Sequence, residues 1–315
     1  MWRRGAVLAL AAAALSACEP APPSLVPEPG PRPDAPPPQT EARPAPQPPE
    51  SRALAAYYTR LQNDLLAQGL LRTDGGGPDT PYTDTDLLRH FERIAFYDEY
   101  VRGEGLRRNS GAPGKLKKWE GPVRLAVEFG RSVPPAQRTA TENELRSYAA
   151  RLARVTGHPI AFAPQQANFH VLVLGADEMG GAAARISQLV PNVDPEALAL
   201  FRGLPRTIHC LVLAFSATPG GTDYARAIAV IRAEHPELMR SACIHEEVAQ
   251  GLGLANDSPR ARPSIFNDDD EFALLTDMDE ILLQMLYDPR LRVGMGPDEA
   301  RPILRTILAE RYGTM

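Results

Sequence analysis

Hydrophobic residues recur at helical spacing in two stretches of the N-terminal third of the chain. The first stretch covers residues 51–71, where Leu54 and Leu61 are among the apolar positions, and the second covers residues 87–97. Apolar residues three and four positions apart lie on one face of a helix. The pattern predicts two amphipathic helices that pack together as an N-terminal helical element over residues 51–110.

Further along the chain, the pattern changes from helical spacing to alternation. Residues 123–129 alternate between apolar and polar side chains, which predicts a half-buried strand. Helical spacing then returns, and short apolar runs follow it. The predicted helices cover residues 139–156 and 244–253, and the further strands cover residues 160–163, 170–174 and 208–215. This mixture predicts an α+β fold with one mixed sheet over residues 115–315.

The first residues of the chain predict an export signal. Arg3 precedes an apolar run over residues 5–15, which is far shorter than the about 20 residues of a membrane-spanning helix. The sequence Leu-Ser-Ala-Cys that ends at Cys18 resembles the bacterial lipobox. This resemblance implies removal of residues 1–17 and a lipid on Cys18 that anchors the chain on the periplasmic side of the bacterial cell envelope. The alternative is an ordinary secretory signal.

Composition separates a tether from the folded part. Residues 18–50 are rich in proline and alanine, so beyond the lipidated cysteine they predict an extended, disordered spacer. The remaining part is long enough for a sizeable core. The net charge is −5 and there is no run of basic residues, so nucleic acid is not expected as a partner.

The three cysteines are Cys18, Cys210 and Cys243. If Cys18 carries the lipid, an even pair is left in an oxidising compartment. The simplest prediction is a disulfide between Cys210 and Cys243, which closes a loop of about 33 residues. The alternative is two buried free thiols.

Residues 243–257 carry the most informative pattern. In zinc proteases, two histidines one helical turn apart bind the metal, and the glutamate after the first histidine polarises a water molecule. His245 and Glu246 begin in this way, but Ala249 stands where the second histidine would be. The zinc motif therefore fails in this frame.

A second frame, fixed by the turn at Gly253, resembles the active-site helix of the metzincin metalloproteases. In that register the family's three metal-binding histidines fall on Glu246, Gln250 and Asn256. Only Glu247, at the position of the catalytic glutamate, and Gly253 match the family. The resemblance therefore implies a metzincin-like helix without its zinc ligands.

The resemblance extends over about residues 117–290, with Phe266 at the position of the methionine that lies beneath the metal. Residues 243–257, 263–268 and 286–291 are more closely similar to a bacterial family known as domain of unknown function 2927. Some of its members are described as lipoproteins, and no activity has been assigned to the family. Together these resemblances imply a zincin-like mixed sheet with an active-site-type helix.

One carboxylate and two carboxamides are much poorer zinc ligands than three imidazoles. We therefore expect a non-catalytic binding or envelope-structural role, with an envelope protein or peptide as ligand and no cofactor. A second interpretation is a buried polar network that fixes the helix to the sheet.

The third interpretation is a divalent-metal-dependent peptidase or hydrolase with Glu247 as general base. In that case Glu246, Gln250 and Asn256 hold the cation, and residues 268–270 contribute further oxygen ligands. His245 lies about 100° around the helix from Glu246. We expect it on the surface or behind the ligands.

Overall fold

A computed structural model of the chain describes residues 47–99, 111–191, 193–199, 201, 204–267 and 269–313. The signal peptide, Cys18 and nearly all of the tether lie outside these described residues, so they stay predictions. Within the described residues, no helix combines the length and the apolar character needed to cross a bilayer.

The described residues contain a five-stranded sheet in the order β2-β1-β3-β5-β4. β1, β2, β3 and β5 pair in parallel, whereas β4 is antiparallel to β5 at the edge. The strands are β1 (Val123–Phe129), β2 (Ile160–Phe162), β3 (Phe169–Leu174), β4 (Cys210–Ser216) and β5 (Tyr224–Arg232). The predicted α+β fold with one mixed sheet is confirmed.

The helices surround this sheet. They are α1 (Pro49–Ala67), α2 (Asp84–Ala95), α3 (Pro135–Thr156), α4 (Ala176–Leu189), α5 (Pro195–Ala199), α6 (Glu237–Gly251), α7 (Asp277–Leu286) and α8 (Pro297–Tyr312). α3 begins four residues before the predicted start, because Pro135 occupies its first turn, where a missing N–H has no helical partner to lose.

Both faces of the sheet are covered. Val171 and Val173 of β3 contribute to the large hydrophobic cluster that also contains residues of α3 and α6. Leu172, between them, packs in a second cluster with Met179 and Ile186 of α4. Successive side chains of a strand point to opposite faces, so α4 covers one face of the sheet and α3 and α6 cover the other.

The first two helices belong to different clusters. Tyr58 and Leu65 of α1 pack with Met239 near the start of α6, whereas Leu87 and Phe91 of α2 lie in the large cluster of the domain. Among the described residues they therefore share no hydrophobic cluster of their own, in contrast to the predicted packing of the two helices. The helical spacing predicts the apolar faces but not their partners.

Candidate functional site

The site is built on α6, which is buried on nearly all sides. Ten of its fifteen residues are buried, so it lies inside the domain rather than on its surface. Gly251 allows close approach to the sheet, because a Cβ atom there would lie 2.5 Å from Cζ of Phe169. The sequence predicts the C-terminal half of α6, and the structure extends the helix back to Glu237.

The chain turns sharply after α6 at Gly253. Its φ is +129°, and a Cβ atom there would lie 2.4 Å from the carbonyl oxygen of Lys117, so a side chain does not fit. Trp119 donates from Nε1 to the Gly251 carbonyl at 2.8 Å, and the Tyr287 hydroxyl donates to the Leu252 carbonyl at 2.9 Å. These two bonds satisfy carbonyls at the end of the helix and fix the turn.

A disulfide joins α6 to the edge strand β4. Cys210 and Cys243 are bonded, with their Cα atoms 5.8 Å apart, so the predicted pairing is confirmed. The bond fixes the N-terminal half of α6 beside β4. As a result, the Cys210 sulfur lies next to the carboxyl groups of the following turn of the helix.

Gln250 and Asn256, which the metzincin resemblance aligns with metal-binding histidines, are hydrogen-bonded within the protein. Gln250 donates from Nε2 to Oδ1 of Asp257 at 3.0 Å. Asn256 donates from Nδ2 to the carbonyl oxygens of Arg93 at 3.0 Å and Asp257 at 2.9 Å. Both side chains are almost fully buried. Their amide nitrogens thus connect α6, the turn and α2.

Glu246 and Glu247 lie together beside the disulfide. One carboxylate oxygen of each and the Cys210 sulfur all lie within 4.8 Å of one another. Glu246 is half-buried, whereas Glu247 is only 4% exposed. Oε2 of Glu247 has no hydrogen-bond partner. A buried carboxylate oxygen without a partner carries a large desolvation cost.

Negative neighbours reinforce the effect of burial on both carboxyls. Burial, then Glu247, Asp257 and Glu99 raise the pKa of Glu246 well above its ordinary value. Burial, Glu99 and Asp257 raise the pKa of Glu247 in the same direction, while a hydrogen bond with the Val212 backbone of β4 acts against the rise. The site favours protons or an added cation over free negative charge.

The end of α2 borders the site. The Arg93 carbonyl accepts from Asn256, and the backbone N–H of Glu99 donates to the Ala255 carbonyl at 3.3 Å. The segment that follows α2 therefore lies beside the turn after α6. Sequence patterns did not identify Glu99 or Asp257 as site residues, since neither belongs to a motif with a defined spacing.

His245 does not take part in the site, and the expectation of a surface position is wrong. Its ring stacks on Tyr148 with centroids 4.0 Å apart, and its Nδ1 accepts the backbone N–H of Leu275 at 3.0 Å. Burial, with the charge of Arg151, lowers the pKa of His245 to about 3. The neutral ring therefore stabilises the packing of α6 against Tyr148 and the Leu275 backbone.

Of the described residues in the acidic run 268–270, only one affects the site. Asp268 lies outside the described residues. Asp269 accepts from the backbone N–H of Glu271 and from Nδ2 of Asn267, both at 3.0 Å, so it stabilises its own loop. The charge of Asp270 contributes to the raised pKa of Glu246. Of the described part of this run, only Asp270 acts on the site.

The segment that contains Phe266 is held by hydrogen bonds to one carboxylate of α7. Phe266 is fully buried. Asp279 of α7 accepts from the Ser264 hydroxyl at 2.5 Å, from the Ile265 backbone N–H at 3.0 Å, and from the N–H and hydroxyl of Thr276 at 3.0 and 2.7 Å. One buried carboxylate thus holds the segment against the start of α7.

Comparison with protein families places this architecture in a family. The family model described as "Protein of unknown function (DUF2927)" matches residues 84–306. Neither a curated protein nor a solved structure matches the chain. The matched range includes the whole sheet, α6, the turn and α7.

Proposed function

Since this chain belongs to the DUF2927 family of proteins of unknown function, we propose that it is a cell-envelope lipoprotein whose metalloprotease-like domain binds a ligand without cleaving it. The observation that carries the proposal is the state of Gln250 and Asn256. At the positions of two zinc histidines, both side chains donate hydrogen bonds within the protein. A zinc centre that activates water needs three strong ligands at these positions.

Several features support a zincin-like ancestry for the domain. The mixed sheet carries an antiparallel edge strand, β4, next to the helix with the motif. α6 ends in the glycine turn at Gly253, and a buried segment at Phe266 follows it. The mixed sheet, the helix that ends in a glycine turn and the segment at Phe266 are elements that the metzincin resemblance implies. A domain that keeps these elements without the zinc ligands suits recognition of a peptide or envelope polymer.

The binding role is tested by amide hydrogen exchange on the full chain with peptidoglycan fragments and envelope peptides as probes. We expect slower exchange at the end of α6 and over residues 252–266, because a ligand bound against this loop covers these backbone groups. No change in exchange with any of these probes would contradict the proposal.

The membrane anchor is tested separately by metabolic labelling with palmitate. We expect label on the wild-type chain and none on a Cys18→Ser variant, which should also leave the membrane fraction. Cys210→Ser serves as the matched control, since its sulfur lies in the folded domain. Label retained in Cys18→Ser would contradict a lipid at this position.

A metal-dependent hydrolase is the second candidate function. Glu247 favours it, because its pKa is raised and a general base works best near the ambient pH. Turnover of peptide substrates by the full chain with zinc, manganese or calcium would support it. A hydrolase acting through Glu247 requires that Glu247→Gln loses this turnover while Glu237→Gln, exposed on the same helix, keeps it.

A further inference from the structure

We propose that Glu246 and Glu247 bind one calcium ion between α6 and β4, beside the Cys210–Cys243 disulfide. This inference rests on the proposed binding function, since it names an ion that the same site takes. The first observation is geometric: a carboxylate oxygen from each residue lies within 4.8 Å of the other. Two carboxylates this close can bind one cation with small side-chain movements.

The second observation is Oε2 of Glu247. It is buried and has no hydrogen-bond partner, and its residue is only 4% exposed. Buried polar atoms in folded proteins are almost always hydrogen-bonded or bound to an ion. A buried oxygen without a partner, next to a second carboxylate, is suited to binding a cation.

The surrounding charges point in the same direction. Asp257 and Glu99 both add negative potential at Glu246 and Glu247. Buried carboxylates that repel one another are costly unless a proton or a cation neutralises them. A divalent cation neutralises two carboxylates at once. The negative charges of Asp257 and Glu99 strengthen the binding of such a cation.

The donor atoms select the class of ion. The Cys210 sulfur lies within 4.8 Å of the pair, but it is bonded to Cys243 and so is not a thiolate. The nitrogens of Gln250 and Asn256 donate within the protein, so these residues can offer only amide oxygens. A site of carboxylate and amide oxygens suits calcium or magnesium rather than zinc, and an irregular set completed by water suits calcium.

The test is calorimetric titration of the chelator-treated full chain with calcium chloride alone, up to about 10 mM, ten times the weakest dissociation constants typical of extracellular calcium modules. We expect one calcium per chain and a rise of several degrees in the Tm. We expect Glu246→Gln and Glu247→Gln each to weaken binding about tenfold or more, because each removes a charged ligand. Glu237→Gln, exposed on the same helix, should bind as the wild type does.

Glutamine matches glutamate in shape, and circular dichroism confirms that each variant folds. If Glu247→Gln fails to fold, the calcium affinity of Glu246→Gln, which changes a half-buried residue, decides the test. Absence of binding by the wild type, or unchanged affinity in both variants, would overturn the calcium site. Hydrogen exchange with envelope fragments is scored independently. Protection of residues 252–266 without calcium binding overturns this inference alone. Calcium binding without such protection upholds the calcium site and overturns the proposed polymer ligand.

Discussion

Gln250 donates a hydrogen bond to Asp257 at 3.0 Å across the turn that ends α6. Both residues are buried, with 5% and 8% of their surface exposed. An ionised carboxylate can only accept, so the pair requires a hydrogen-bond donor at position 250, and the Gln250 amide supplies it. Gln250 therefore has a structural role, because it connects the helix to the loop that returns beside it.

A Gln250→Glu variant tests this relationship. It replaces the donor with a second carboxylate opposite Asp257, so we expect the free energy of unfolding to fall by about 1–3 kcal/mol at neutral pH in the presence of chelator. Urea denaturation measures the loss. Gln188→Glu, exposed on α4, is the matched control and should change stability by less than about 0.5 kcal/mol. Equal stability of Gln250→Glu and wild type would show that this hydrogen bond makes no net contribution to the free energy of unfolding.

The sequence predicts those elements whose two sides differ in polarity. β1 alternates, and its predicted bounds agree with the structure. β5 was missed because its last six residues are all buried, and a strand buried on both faces has no alternation to recognise. The partners of α1 and α2 were missed for a related reason: helical spacing identifies an apolar face but not the surface against which it packs.

The site could be predicted only where a motif has a fixed spacing. The register set by Gly253 identified Glu246, Glu247, Gln250 and Asn256, and the structure brings the first two together while it ties the others into hydrogen bonds. Glu99 reaches the site from a segment almost 150 positions away in the chain. No local pattern contains that information, because the tertiary fold alone creates the contact.

Gly253→Ala tests the turn that brings Asn256 and Asp257 back to α6. The alanine would have to adopt a φ of +129° with its Cβ 2.4 Å from a backbone oxygen. Backbone strain of this kind costs about 1–3 kcal/mol, and the steric overlap adds to it. We expect a loss of at least about 2 kcal/mol by urea denaturation. Gly180→Ala, in open space on α4, should instead gain about 0.5–1 kcal/mol; a similar gain at position 253 would contradict the required turn.

Asp279→Ala tests the anchor of the segment that contains Phe266. The change removes the acceptor from the buried backbone N–H groups of Ile265 and Thr276. Each unsatisfied group costs about 1–3 kcal/mol, so we expect the free energy of unfolding to fall by about 3 kcal/mol or more. Asp277→Ala, exposed in the first turn of the same helix, should cost less than about 1 kcal/mol. Comparable losses of unfolding free energy in the two variants would show that acidic residues at the start of α7, rather than the hydrogen bonds of Asp279 to the segment, determine the stability.

The same carboxyl group gives stability a defined pH dependence. Burial raises the pKa of Asp279 from 3.8 to about 6, although hydrogen bonds from Ser264, Thr276 and Ile265 act against the rise. The folded chain therefore holds this proton more tightly than the unfolded chain. The resulting stabilisation is fully present below pH 3.8 and is lost as the pH rises through about 6. A shift of about two pKa units corresponds to about 3 kcal/mol.

Asp279→Asn isolates this contribution, because the amide keeps an oxygen acceptor and has no titration. We expect the stability of wild type minus that of Asp279→Asn to fall by about 3 kcal/mol between about pH 4 and pH 7, measured by urea denaturation at intervals of pH. Glu246 and Glu247 titrate in both proteins, so their effect cancels in the difference. A difference that grows with pH would mean that the four hydrogen bonds to the ionised carboxylate outweigh its burial, and that Asp279 is charged in the folded protein throughout this range.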